Sequence, residues 1–157
     1  MNKKLNLLDK AHLLVATLFG VGYTPLCPGT ASCVVAFVVF LLIKGEIAFL
    51  IFTIFIVIIA FISSARAEKL FGIKDCKLIV IDDFAGMLIT FLFIPKRIEF
   101  LVTGFFLFRM LDMLKIPPAD KIEQLPGASG VVGDDLVAGV YANLMLQLAK
   151  FALKITS

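Results

Sequence analysis

The stretch IAFLIFTIFIVIIAFISSA, residues 47–65, contains no charged side chain over 19 consecutive positions. An α-helix rises 1.5 Å per residue, so as a helix this stretch would be about 29 Å long. The hydrocarbon core of a bilayer is about 30 Å thick, and about 20 apolar residues cross it. A helix also satisfies its backbone hydrogen bonds internally, as lipid requires. The stretch therefore predicts a membrane-spanning helix.

The rest of the chain is also unusually apolar. Of its 157 residues, 61% are hydrophobic and 17% are charged, and the mean hydropathy is +1.04. Soluble domains are typically about 45–50% apolar and about 25% charged. The length suits a single domain, which we place at residues 1–157. A scattered net charge of +3 makes nucleic acid an unexpected partner. The composition predicts a membrane-embedded or membrane-associated protein.

Breakers and charged turns divide the remaining sequence into further apolar segments. Long apolar runs with few turn pairs favour helices over strands. The sequence predicts an all-α fold, a compact bundle of roughly five to seven helices. The other apolar segments are Ala31–Ile43, Leu78–Ile94, Phe100–Leu114 and Leu136–Ala149, with loops predicted over Gly20–Thr30 and Arg66–Lys77.

Five of the twelve carboxylates lie inside or at the start of the apolar segments. A charge at membrane depth costs at least about 2.5–3.5 kcal/mol, so it is kept where it pairs, binds a metal or lines a wet cavity. Four of them form two adjacent pairs, Asp82-Asp83 and Asp134-Asp135, and each pair is followed by a glycine about one turn later. Capping of a helix N-terminus is the alternative explanation for each pair. The five residues are Asp82, Asp83, Asp112, Asp134 and Asp135.

Clustered aspartates without sulfur or imidazole neighbours suit a hard cation such as Mg²⁺, which bridges carboxylates to a phosphate. Zinc is disfavoured because His12 is the only histidine and the three cysteines are dispersed. The chain lacks the G-x-x-x-x-G-K-[ST] motif, which excludes a P-loop NTPase. No cysteine is followed six positions later by arginine, and one histidine near the N-terminus gives little support to a phosphohistidine. The favoured chemistry is metal-assisted hydrolysis, with carboxylates positioning the metal and a water, and a covalent aspartyl phosphate stays open as an alternative.

Arg109, Asp112 and Lys115 are three residues apart, which places them on one face of a helix. One interpretation is an ion pair that hides charge within an apolar helix. The other has Asp112 joining the acidic cluster while the two cations hold a phosphate, Arg as a fork and Lys as a point charge. The Gly20–Thr30 loop could add backbone N–H donors for an oxyanion.

Four blocks in this order and spacing carry a family resemblance. The chain resembles the phosphatidylglycerophosphatase A family, bacterial lipid phosphatases, over nearly its full length. The resemblance implies hydrolysis of phosphatidylglycerophosphate to phosphatidylglycerol and inorganic phosphate with Mg²⁺ at the bacterial cytoplasmic (inner) membrane. The blocks are Gly20-x-Gly22-x-x-Pro25-x-x-Pro28-Gly29-Thr30, Asp82-Asp83-x-x-Gly86, Arg109-x-x-Asp112-x-x-Lys115-x-x-Pro118 and Gly130-x-x-x-Asp134-Asp135-x-x-x-Gly139.

The chain departs from the family pattern in three places that affect ligand geometry. Asp83 stands where the family usually has Glu, one methylene longer. Ser32-Cys33 replaces the usual Gly-Ser, and Lys115-Ile116-Pro117-Pro118 replaces Lys-Pro-x-Pro. The charges are kept, while reach and backbone shape change.

Residues and resemblance together define the predicted site. The predicted metal ligands are Asp82, Asp83, Asp134 and Asp135, and the predicted catalytic residues are Asp82, Asp83, Asp112 and Asp135. The predicted phosphate-binding residues are Arg109, Lys115, Gly22, Gly29 and Thr30. Two alternatives stay open at this point: a non-enzymatic membrane protein that binds or conducts a divalent cation, and a related phosphatase acting on another phosphomonoester. The sequence does not predict the oligomeric state.

Overall fold

The computed structural model describes residues 6–73, 76–125 and 127–154. Within these ranges the chain forms seven α-helices and one 3-10 turn at Val21–Tyr23, and none of the described residues is in a strand. The prediction of an all-α bundle of five to seven helices is confirmed. The helices are α1 (Leu7–Ala16), α2 (Pro28–Leu42), α3 (Glu46–Phe71), α4 (Ile81–Thr90), α5 (Ile98–Leu114), α6 (Ala119–Glu123) and α7 (Ala128–Ala152).

Helix α4 lies at the centre of the bundle. Eight of its ten residues are buried, and α2, α3, α5 and α7 all pack against it. The carbonyl groups at its C-terminal end accept from α7: Asn143 Nδ2 donates to Thr90 O at 3.0 Å and to Leu92 O at 2.8 Å. The last carbonyls of a helix have no partner within it, so these bonds fasten α4 to α7.

Helix α3 extends further than predicted. A loop was expected from Arg66, but α3 continues to Phe71 because the residues after Ala65 include good helix formers. Gly72, with a φ of 67°, then ends the helix in a left-handed C-cap. Among the described residues α3 is the one helix long and apolar enough to cross a membrane. Its C-terminal part is tied to α1 by an ion pair of 2.7 Å between Arg66 and Asp9.

Helix α2 begins earlier than predicted, at Pro28. Proline suits the first helical position because the N–H it lacks would have no partner there. Gly29 and Thr30, predicted to lie in a loop, are therefore in the first turn of α2. The predicted apolar segment Leu78–Ile94 also differs, since it is helical only over Ile81–Thr90.

Helix α7 begins at Ala128, which changes the setting of the second acidic pair. Asp134 and Asp135 lie about two turns inside the helix, and its first turn holds no acidic residue. Capping of a helix N-terminus is therefore wrong as an explanation for this pair. Asp82 and Asp83, by contrast, lie in the first turn of α4, where the helix dipole favours negative charge.

The outer faces of α2, α3, α5 and α7 expose many large apolar side chains, which we call the apolar belt. Soluble monomers rarely expose contiguous apolar patches larger than a few hundred Å². Several members of the belt lie on α3, the helix with the charge-free stretch. Its members include Val34, Val38, Ile51, Ile54, Phe55, Ile58, Val102, Phe106, Val140, Leu144 and Leu148.

Candidate active site

A polar cavity of about 330 Å³ lies at one end of the bundle. The first turns of α2 and α4, the C-terminal end of α5 and the N-terminal part of α7 meet there. The positive dipole ends of α2 and α4 therefore lie at the cavity. Its lining residues are Leu26, Cys27, Pro28, Gly29, Lys77, Ile79, Asp82, Asp83, Arg109, Asp112, Lys115, Val131, Asp134 and Asp135.

Two glycines allow α4 and α7 to touch through their backbones. A Cβ at Gly86 would lie 2.6 Å from Asp135 O, and a Cβ at Gly139 would overlap Gly86 O and lie 3.2 Å from Gly86 Cα. Close backbone approach of this kind requires glycine. The contact places the acidic pair of α4 beside the acidic pair of α7, although the pairs are 52 positions apart in the sequence.

Three carboxylates, Asp82, Asp83 and Asp135, form the acidic cluster of the cavity. Each offers an oxygen that lies within 4.8 Å of the others. Asp82 and Asp135 are buried, at 5% and 6% exposure. Like charges at this spacing repel strongly away from water, so the cluster requires protons or a bound cation.

Burial dominates the pKa values of the acidic cluster. It raises the pKa of Asp82 well above its ordinary range, and the neighbouring Asp83 charge raises it further. Burial likewise raises the pKa of Asp135, with Asp83 and Asp82 adding to the shift. The pKa of Asp83 reaches about 7, because burial raises it and the Arg109 guanidinium offsets part of the rise.

The two predicted phosphate-binding cations are both engaged with carboxylates. Arg109 Nη1 contacts Asp83 and lies 2.8 Å from Asp112 Oδ2, so the ion pair of the first interpretation is present, while binding of a phosphate by the two cations stays a prediction. Lys115 Nζ contacts Asp134 and lies 3.5 Å from Glu123 Oε1. Burial lowers the pKa of Arg109, but the surrounding acids, Asp83 first, raise it by more.

The fourth predicted metal ligand, Asp134, is separate from the acidic cluster. Its Oδ2 meets Lys115, while its Oδ1 is buried and has no hydrogen-bond partner among the described residues. Neighbouring residues on a helix point about 100° apart, so Asp134 and Asp135 face different parts of the cavity. The structure therefore brings three of the four predicted ligands together.

The three residues predicted from the N-terminal loop occupy different places. Gly29 lines the cavity, and a Cβ there would overlap the Asp83 carboxylate. Gly22 is buried against the Leu78 carbonyl, where a Cβ would also overlap, and it does not line the cavity. Thr30 is half-buried and is likewise outside the lining.

Two residues at the site were not predicted from the sequence. Lys77 lines the cavity from the segment before α4 and adds a third cation. Cys33 is buried in α2, and its Sγ donates to Asp83 O at 4.0 Å. Burial and then the Asp83 charge raise the pKa of the Cys33 thiol, which keeps it protonated. Neither residue belongs to a spacing pattern that would have marked it.

The donor set fits a hard divalent cation. Two buried carboxylates and one half-buried carboxylate converge from two helices, and the unpartnered Asp134 oxygen provides further acceptor capacity. Mg²⁺ and similar ions prefer such oxygen ligands and keep several waters. A cavity of about 330 Å³ leaves room for water and a phosphate beside the carboxylates.

Comparison with known proteins agrees with this chemistry. Two relatives are named phosphatidylglycerophosphatase A. That of Haemophilus influenzae is 32% identical over 92% of this chain and 91% of its own length. That of Escherichia coli is 32% identical over 87% of this chain and 81% of its own length. A Bacteroides thetaiotaomicron protein with the name "Putative phosphatidylinositol-3-phosphatase" is 28% identical over 90% of this chain and 94% of its own.

No solved structure matches the chain. The sequence model described as Phosphatidylglycerophosphatase A matches residues 14–150, which include every helix that contributes to the cavity. The family resemblance is thereby confirmed, and the acidic cluster, the two engaged cations and the α4–α7 glycine contact all lie inside the matched region. The chain belongs to the phosphatidylglycerophosphatase A family.

Proposed function

We propose that the chain is a phosphatidylglycerophosphatase, which hydrolyses phosphatidylglycerophosphate to phosphatidylglycerol and inorganic phosphate. One observation carries the proposal: the carboxylates of the acidic cluster, two buried and one half-buried, converge within 4.8 Å at a cavity that is also lined by Arg109 and Lys115. Acidic ligands beside fixed cations are what metal-assisted phosphate hydrolysis requires. Membership of the family, and the names of two relatives, support the same substrate.

The metal of this proposal is Mg²⁺, held by Asp82, Asp83 and Asp135. Asp134, which the sequence also predicts as a ligand, would bind through its unpartnered Oδ1 or through a water. When bound, Mg²⁺ supplies positive charge against the phosphoryl oxygens and makes a water more acidic. Gly29 leaves the Asp83 carboxylate accessible from α2, because any larger residue would occupy that space.

Arg109 and Lys115 bind the phosphomonoester. Asp83 and Asp112 both contact the same guanidinium nitrogen, Nη1, and a guanidinium has five N–H donors. Arg109 therefore keeps donors for a phosphoryl oxygen while its orientation is fixed by the two acids. Lys115, at the end of α5, adds a point charge from the other side of the cavity.

Asp112 orients the attacking water in this scheme. The oxygen of the water adds to phosphorus as the bond between phosphorus and the glycerol oxygen breaks. The two hydrogens of the water end on the released hydroxyl group and on the phosphate, so the reaction is balanced without a co-substrate. Asp82 and Asp135, deeply buried, keep their positions throughout.

The apolar belt supports a membrane location, and because the named relatives are bacterial we take this membrane to be the bacterial cytoplasmic one. Helix α3 is long enough to span the hydrocarbon layer. The cavity lies at the end of the bundle where α3 carries Arg66 and Glu68, so it would face the lipid headgroups.

Release of inorganic phosphate from phosphatidylglycerophosphate tests the proposal. We expect release with Mg²⁺, none with EDTA, and loss of activity in Asp82→Asn and Asp135→Asn. Glu99→Gln is the matched control, because it makes the same change to an exposed acid at the opposite end of α5. Full activity in either aspartate variant would refute the assigned roles. Metal binding without phosphate release would favour the non-enzymatic cation-binding alternative.

A second lipid substrate has support from one relative. The Bacteroides protein carries the name of a phosphatase acting on a phosphorylated inositol lipid. A substrate panel that compares phosphatidylglycerophosphate with phosphatidylinositol-3-phosphate and a soluble phosphomonoester separates these possibilities by their kcat/KM values.

A further inference from the structure

A groove of about 230 Å³ lies between α2 and α5 within the apolar belt. Only apolar side chains line it: Val34 and Phe37 from α2, with Val102, Phe105 and Phe106 from α5. Phe106 is 67% exposed at its edge. The groove is separate from the polar cavity and shares none of its lining residues.

On α5 the groove and the cavity lie along one helix face. Phe106, Phe105 and Val102 precede Arg109 by three, four and seven positions, which is the spacing of residues that share a face. At 1.5 Å per residue they lie about 5 to 10 Å from Arg109 along the helix axis. The groove therefore begins directly below the phosphate-binding cation.

Helix α2 also contributes to both the cavity and the groove, although Gly29 and the groove residues do not lie on one face of it. Gly29 lines the cavity in the first turn, and Val34 and Phe37 line the groove about 8 to 12 Å further along the helix. Thr30 shares a face with both, at spacings of four and seven residues. Two helices thus form a polar cavity at their ends and an apolar groove immediately beyond it.

We propose that the α2–α5 groove holds an acyl chain of the diacyl substrate while the phosphate of the same molecule lies in the polar cavity. This proposal rests on the proposed function. In phosphatidylglycerophosphate the terminal phosphate is joined to the acyl chains through two glycerol units and an internal phosphodiester. This polar linker can lead from the cavity to the groove, so the order of polar and apolar parts in the lipid follows the order of cavity and groove. The groove opens on the belt, so a lipid can enter sideways from the bilayer.

The groove acts by orienting the lipid rather than by adding hydrophobic affinity. Lipid tails are as apolar as the groove itself, so transfer between them gains little. An acyl chain held in the groove limits how far the terminal phosphate of the same lipid can move from the acidic cluster. A displacement of about 1 Å of the reacting group can cost about a hundredfold in rate.

Val102→Trp fills the groove, and Val140→Trp is its matched control. Both valines lie on the apolar belt, at 44% and 45% exposure, but Val140 does not line the groove. Each variant is assayed on dipalmitoyl phosphatidylglycerophosphate, the long substrate, and on its deacylated form, the short substrate, which carries no acyl chain. We expect Val102→Trp to lower kcat/KM about tenfold on the long substrate and to leave the short one unchanged. Val140→Trp should change neither.

The other outcomes each have one meaning. If wild type hydrolyses neither substrate, the proposed function fails. Suppose that the wild type is active. If the kcat/KM of Val102→Trp on the long substrate equals that of the wild type or that of Val140→Trp, the acyl-chain proposal is overturned while the function stands. Equal loss on both substrates with a changed oligomeric state also overturns it, and identifies the groove as a contact between copies of the chain.

A binding measurement provides a readout that does not depend on turnover. The chain has no tryptophan, so Phe106→Trp introduces a single fluorophore at the groove and Phe55→Trp introduces one elsewhere on the belt. A non-hydrolysable phosphonate analogue with brominated chains, present at a few mole per cent in unbrominated vesicles, should quench the fluorescence of the Phe106→Trp variant with saturation. Quenching of the Phe55→Trp variant should follow only the mole fraction. Identical quenching curves would overturn the proposal.

Discussion

The contact between Gly86 and Gly139 controls the spacing of the acidic cluster, and Gly139→Ala tests that role. A methyl group there would overlap Gly86 O and lie 3.1 Å from Gly86 C. Carbon atoms pack best at about 3.5–4.0 Å, so α4 and α7 must separate by roughly 1 Å. Asp135 would then move away from Asp82 and Asp83 by a similar distance.

Two energies set the expected stability. Overpacking typically costs about 1–3 kcal/mol, and replacing a helical glycine by alanine returns about 1 kcal/mol. The net loss of about 0–2 kcal/mol corresponds to a fall in Tm of at most roughly 8 °C for a chain of this size. Activity should fall far more, by about tenfold to a hundredfold, because the site loses its geometry.

The assay pairs phosphate release with thermal unfolding, and Gly133→Ala is the control. That glycine is on the same helix, and its added methyl would meet only the Cγ2 methyl of Ile122, at 2.6 Å. Ile122 belongs to the short helix α6, so its displacement does not alter the α4–α7 contact, and we expect near-normal activity even if stability falls. Wild-type activity in Gly139→Ala, or an equal loss in Gly133→Ala, would refute the reasoning.

Three further predictions concern charge at the site. First, metal-free protein should be about 2–3 kcal/mol less stable at pH 8 than at pH 5, as measured by denaturant unfolding. The pKa of Asp83 is about 7 in the folded protein and 3.8 ordinarily. The protonated carboxyl group therefore stabilises the fold fully below about pH 4, and this stability is lost as the pH rises through 7. Second, Mg²⁺ at a hundred times its Kd should add about 2.7 kcal/mol at pH 8, and Asp135→Asn should abolish the gain. Third, Lys115→Met should lower the free energy of unfolding by about 3 kcal/mol in the same assay, because it leaves Asp134 buried without its cation. Lys121→Met is the control and should cost little, because Lys121 is exposed on α6.

Sequence patterns predicted the helices well where they depend on local chemistry. The charge-free stretch 47–65 predicted α3, and Phe100–Leu114 predicted α5 to within two residues. Boundaries failed where two signals competed. The charge of Arg66 indicated the end of a helix, but alanine and other helix formers around it carried α3 on to Gly72.

The aspartates of the candidate site, with Arg109 and Lys115, were predictable from the sequence, whereas Lys77 and the arrangement of the site were not. Buried aspartates in apolar segments are costly, so their presence marked the site from composition alone. Which of them converge depends on the approach of α4 to α7, a tertiary contact between residues far apart in the chain. Gly22 shared the glycine-rich signal of the phosphate loop, yet its space is taken by the Leu78 carbonyl.

The cavity lies at one end of the apolar belt, and this position determines how much of the lipid substrate must leave the bilayer before it can react. Withdrawing a lipid from a bilayer exposes its chains to water at about 0.8 kcal/mol per CH₂, which exceeds roughly 20 kcal/mol for two palmitoyl chains. With the belt in the lipid and the acidic cluster at headgroup level, as proposed, a phosphate reaches Arg109 while both chains stay in hydrocarbon. Catalysis then requires lateral diffusion and reorientation of the lipid, and the energy of extraction does not enter the barrier.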